Sequence, residues 1–194
     1  NKKSYCRDFC VFFPSYNRGF SNNFSLQLGA FVVPGMSFDD VPVILSGKFS
    51  IPEYESKKFF NASFASGLMY VRLPEFGEDS FGFGIAFGTM TLGDKFNHLS
   101  TSIGFGYSTT GAGWEFQEKP IYNLSGNFRF SNSIAFVGES WIFPEGDLDD
   151  QLFALSLRFI GRKFAVDLGG LITLSMLDES VIPIPIINFT YHTD

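Results

Sequence analysis

His98 and Ser100 are the residues whose types and spacing come nearest to a reactive pair. Two positions apart on an extended segment, they share a face, where an imidazole could take the hydroxyl proton and leave serine a nucleophile. Such a pair needs a third group to orient the histidine, and the nearest downstream carboxylates, Glu115 and Glu118, fall in a connecting segment. The plainer reading is that His98 is a polar residue ending a turn, and no other catalytic residue is expected. His192 has neither cysteine nor a carboxylate cluster at ligand spacing, which gives no support for a metal. Gly82-Phe83-Gly84 sits inside a strand pattern rather than at a strand-to-helix turn, so it is not a dinucleotide fingerprint, and no cofactor is expected. Cys6 and Cys10 would stand about 13 Å apart on an extended strand, too far to bridge unless the segment curls.

A second set of residues could act through charge. Lys48, Arg129, Glu139, Arg158 and Asp167 are isolated ionisable groups on strand faces otherwise made of Gly, Ser, Ala and Asn. Their mixed signs predict pairing across a narrow, crowded interior. Asp147, Asp149 and Asp150 cluster in one loop and could meet divalent cations, although solvated loop charges are the simpler reading. The net charge of −6, with no run of Lys or Arg, excludes nucleic acid as a partner.

The elements that must position these groups are strands. Apolar and polar residues alternate with period two almost throughout, and no window holds the helical i, i+3, i+4, i+7 pattern. With 26 Phe and 20 Gly, the composition favours strands and close backbone approach. Strands are predicted near 5–16, 22–33, 41–51, 59–73, 80–92, 97–108, 120–131, 134–143, 151–160, 164–174 and 182–191. Their usual length of about ten residues suits a tilted bilayer crossing. No stretch of apolar residues is long enough for a transmembrane helix, which says nothing against a membrane barrel.

The large side chains alternate with small ones, and the large face is expected to meet lipid: Phe81, Phe83, Ile85, Phe87, Phe105, Phe128, Phe153 and Phe159. A soluble lipocalin-like barrel, with those residues as its core, is the alternative. Against it, the opposite face lacks the Lys, Glu and Thr that keep a solvated sheet soluble. The expected fold is therefore all-β, a single up-and-down antiparallel transmembrane barrel of about ten to twelve strands. Trp114, Tyr122 and Trp141 read either as interfacial girdle residues or as ordinary packing.

Turns point the same way. Connections at Asn17-Arg18-Gly19, Pro52 to Lys58, Gly93-Asp94-Lys95, Ser131-Asn132-Ser133 and Gly161-Arg162-Lys163 are mostly short with a basic excess. The alternate ones, at Ser37 to Asp40, Glu75 to Asp79, Thr109 to Glu118, Glu145 to Asp150 and Ser175 to Val181, are mostly longer and nearly all acidic. The acidic end is expected to face outside. Eleven strands would put the termini on opposite sides, so the expected organisation is an N-terminal segment or first strand over 1–20 and a barrel over 21–194. Either 1–20 lies outside a ten-stranded barrel, or a lost preceding strand makes twelve. The opening Asn1-Lys2-Lys3 fits a mature or trimmed polypeptide.

Several segments together resemble a family of uncharacterised outer-membrane barrel proteins from Bacteroidetes-type bacteria. They are Asn22-Asn23-Phe24-Ser25-Leu26, the run from Gly82 to Gly88, Ile103-Gly104-Phe105-Gly106-Tyr107, the run from Lys119 to Gly126, Glu139-Ser140-Trp141 and Ile182-Pro183-Ile184-Pro185. The resemblance implies an outer-membrane location and no established activity. Membrane lipid, lipopolysaccharide and other outer-membrane proteins are then the expected partners. A structural or partner-binding barrel with a small polar lumen fits every feature. The alternatives are a narrow small-solute channel and a lipid hydrolase using His98 and Ser100. Outer-membrane lipid hydrolases carry a similar His-x-Ser arrangement with a nearby Asn or Glu, but here the position twelve beyond Ser100 is Ala112.

Overall fold

A computed structural model of the chain describes residues 4–9, 13–32, 37, 41–55, 61–73, 81–110, 113–144, 151–178 and 183–193. Period-two patterning gives thirteen strands: β1 (Ser4–Phe9), β2 (Phe13–Gly19), β3 (Phe24–Ala30), β4 (Val43–Glu55), β5 (Asn61–Arg72), β6 (Gly82–Gly93), β7 (Asn97–Thr110), β8 (Gly113–Phe116), β9 (Ile121–Arg129), β10 (Ile134–Ile142), β11 (Leu152–Ile160), β12 (Phe164–Thr173) and β13 (Ile184–Thr193). A five-residue helix, α1 (Leu174–Asp178), follows β12.

The sheet is an antiparallel meander in which strands pair with their neighbours in sequence, save that β9 pairs with β7 rather than with β8. Pairing of β1 with β13, together with β6 with β7, closes twelve strands into a ring. Closure removes the free edges that would otherwise template aggregation. The remaining strand, β8, pairs only with the last residues of β7, from Tyr107 to Thr110, beyond the stretch that pairs with β9.

The strand expected over 5–16 is two strands. Residues 4–9 and 13–19 pair as a hairpin, and β1 then bonds to β13. The even count follows from this split, and both described ends of the chain lie at one rim. The turn expected at Asn17-Arg18-Gly19 accordingly falls at 20–23, and those three residues belong to β2.

The short connections, at 20–23, 94–96, 130–133 and 161–163, share that rim with the chain ends. The longer ones, between β3 and β4, β5 and β6, β7 and β9, β10 and β11, and β12 and β13, share the opposite rim. Side chains close the short turns. Asp94 Oδ1 accepts from the N–H groups of Phe96 and Asn97 at 2.6 and 2.8 Å, while Gly93 takes the positive φ that the tight reversal demands. These two backbone donors hold the Asp94 carboxyl below the ordinary aspartate range.

Candidate functional site

Which way each strand faces follows from register, because directly paired residues share a face. Ser100 and Ser102 bond through their hydroxyls to Thr91 and Thr89, each at 2.8 Å. A cavity of about 430 Å³ is lined by Gln27, His98, Asn127, Arg158 and His192, contributed by five strands around the ring, so this face is the lumen. The opposite face is the outer wall, where Leu28, Leu45, Leu68, Phe105, Leu124, Phe128, Leu157 and Ile187 all stand exposed.

Four of the eight residues expected to face outward do so: Phe105, Phe128, Phe153 and Phe159, on β7, β9 and β11. Phe83, Ile85 and Phe87 do not, and this corrects the orientation of β6, while Phe81 precedes that strand and is 42% exposed. Phe87 pairs with Gly67 on one side and Gly104 on the other, and Ile85 with Met69 and Gly106, all on the lumen face. A Cβ at Gly67 would come within 2.6 Å of the Phe87 ring, and one at Gly104 within 2.6 Å of Ile85.

Space explains the inversion. The outer neighbours of β6 are bulky, namely Leu68, Tyr70, Phe105 and Tyr107, and they pair with Ala86 and Gly84. The Tyr70 and Tyr107 rings stack at 6.4 Å over Gly82 and Gly84, and Tyr107 Oη donates to the Met69 carbonyl at 2.9 Å. Small residues on β6 are thus covered by aromatic neighbours on the outside, and its large residues fill the inside. The signal lies across the rungs, in glycines at 67, 104 and 106 opposite Ile85 and Phe87. It is absent from the alternation of β6 alone.

The lumen consequently has two sectors. One is apolar, with Ile44, Met69, Val71, Ile85 and Phe87 contributed by β4 to β6, and Ile85 and Val71 are each only 9% exposed. The other is polar and runs from β9 to β13 and on to β2 and β3. Here Arg158 and Asp167 pair bidentately at 2.7 and 2.8 Å, and Asn188 Nδ2 donates to Asp167 Oδ2 at 3.2 Å. Asp167 is 5% exposed, so this ion pair is sheltered from water and screened little by salt.

The five lumen charges do not form one network. Glu139 accepts from Asn123 Nδ2 at 3.1 Å and from the Trp141 indole at 2.8 Å, toward the long-loop rim. Arg129 donates to the carbonyls of Ser131 and Asn132 in its own turn and lies over the Phe96 ring. Lys48 has no hydrogen bond or ion pair among the described residues, and lies on β4 opposite Gly67. Strand separation is the reason: Glu139, Lys48 and Asp167 sit at different heights and on different sides of the ring.

His98 and Ser100 share the lumen face without touching. The His98 ring bonds through Nδ1 to the Asp94 carbonyl at 3.2 Å, while the Ser100 hydroxyl is taken by Thr91. No hydrogen bond joins the two, so the nucleophile-base pair is not assembled. Trp141 points into the lumen beside Glu139, which excludes it from an outer girdle, whereas Trp114 and Tyr122 are exposed on the outer side. Asp147, Asp149 and Asp150 lie outside the described residues. No family model matches the chain, and no curated protein matches it.

Proposed function

We propose that this chain is an outer-membrane β-barrel with a filled lumen and a structural or partner-binding role. The observation that carries the reading is the polarity of the wall. Its outer face is dominated by Leu, Ile, Val and Phe, with Leu68 58% and Phe128 62% exposed, while the Arg158–Asp167 ion pair and several amides sit inside. A water-soluble barrel arranges these the other way round, and monomeric soluble proteins rarely leave more than a few hundred Å² of contiguous apolar patch in water.

Aromatic residues gather toward the two rims of that face. Tyr70, Tyr107, Trp114, Phe116 and Tyr122 lie near the long-loop rim, and Phe20, Phe24, Phe49, Phe130, Phe164 and Tyr191 near the short-turn rim. Rings at these two levels suit the interfaces of a bilayer, with aliphatic side chains between them at the hydrocarbon. Lipid is then the partner of the outer wall, with lipopolysaccharide on the long-loop side.

The test is detergent extraction followed by electrophoresis of unboiled and boiled samples. Partition into detergent with a shift in mobility on boiling supports the reading. A monomer soluble without detergent overturns it. Because Phe87, Ile85 and Met69 occupy one side of the lumen and the Arg158–Asp167 pair the other, reconstituted protein is expected to be silent in planar bilayers. Steady conductance would favour a narrow channel instead.

A further inference from the structure

The lumen mouth at the short-turn rim is a basic pocket. Its cavity of about 430 Å³ is lined by Lys95, Arg129 and Arg158, by His98 and His192, and by neutral hydrogen-bonding groups including Gln27. No carboxylate stands among the described lining residues. The two described acids nearby are already engaged. Asp167 is clamped to Arg158 and Asn188, and Asp94 turns its Oδ1 to the backbone of its own turn. The Arg158 charge is therefore neutralised, while Lys95 and Arg129 are not neutralised by any ion pair among the described residues. Both cations are steadied on one aromatic ring, Lys95 Nζ at 4.7 Å and Arg129 Cζ at 4.9 Å from the Phe96 centroid. Their contacts with that ring hold two positive groups at the cavity edge.

We propose that this mouth binds a small free oxyanion, phosphate or a compact phosphate ester. Lys95 and Arg129 would supply the charge, and Gln27 and the lumen-facing histidines further hydrogen bonds. Charge-assisted bonds in a recess walled by strands are stronger than at an open surface, because solvent competes less for them. The site does not depend on where the barrel resides, since the pocket opens at the rim and not through the outer wall.

The experiment is titration calorimetry of the folded full-length protein with inorganic phosphate, with sodium chloride at matched ionic strength as the reference. Lys95→Gln removes the exposed turn charge, and Lys48→Gln removes the same charge from the lumen face of β4, outside the described cavity lining. Saturable phosphate binding weakened roughly tenfold by Lys95→Gln and unchanged by Lys48→Gln is expected. Arg129→Lys keeps the charge but loses the fork geometry, so a smaller weakening is expected from it. No saturable heat with the wild-type protein, or equal weakening by the two glutamine substitutions, overturns the proposal.

Discussion

Arg158 and Asp167 face each other on the β11–β12 rung and share two parallel hydrogen bonds of 2.7 and 2.8 Å on the lumen wall. Removing one partner strands a sheltered charge. Asp167→Ala is expected to cost about 2–4 kcal/mol, while the double Arg158→Leu, Asp167→Leu variant recovers most of it. Urea unfolding of the folded protein, followed by tryptophan fluorescence, measures both. Equal losses would mean that packing, rather than charge pairing, dominates at this rung.

The orientation of β6 makes a paired prediction. Phe87 fills space over Gly67 and Gly104 inside the ring, whereas Phe105, on the adjacent strand, points outward. Phe87→Ala opens a cavity and is expected to lower stability by about 2–4 kcal/mol. Phe105→Ala exposes no new void and should cost well under half of that. Unfolding midpoints in one detergent compare them, and the reverse order would contradict the register given above.

Glycines on the outer face of β6 separate in the same manner. A Cβ at Gly84 would run into the Met69 carbonyl and the Tyr107 ring, whereas one at Gly88 meets nothing within 4 Å. Gly84→Ala is expected to destabilise by roughly 1–3 kcal/mol, and Gly88→Ala to be neutral or slightly stabilising. Thermal unfolding midpoints of the two variants read the difference.

The turn at Asp94 gives a pH dependence. Its folded carboxyl titrates below the ordinary aspartate range because the Phe96 and Asn97 amides bond the charged form. The stabilisation is therefore complete above the unfolded value, near pH 4, and is lost as pH falls through the lower folded value. Hydrogen-exchange protection of those two amides, corrected for intrinsic exchange, should be flat above about pH 5 and decline below about pH 4. Asp94→Ala should show the unprotected level throughout, and an unchanged profile in that variant would remove the cap from the account.

The alternation in the sequence was enough to establish an all-β chain, the approximate strand positions and the unequal ends of the barrel, because a pleated strand sends successive side chains to opposite faces. It also picked out Arg158 and Asp167 as inward charges, since isolated ionisable groups on a small-residue face have few places to go. Two things required the tertiary structure. The division of 4–19 into a hairpin depends on pairing with β13, which lies at the far end of the chain. The facing of β6 depends on its neighbours: alternation says that Phe87 and Gly88 oppose each other, but not which is inside. Gly67 and Gly104 decide it, because only the lumen side leaves room for the ring. The His98–Ser100 pair failed for a related reason. Spacing brought both residues to one face, while Asp94 and Thr91, reached across the β6–β7 turn, took their hydrogen bonds.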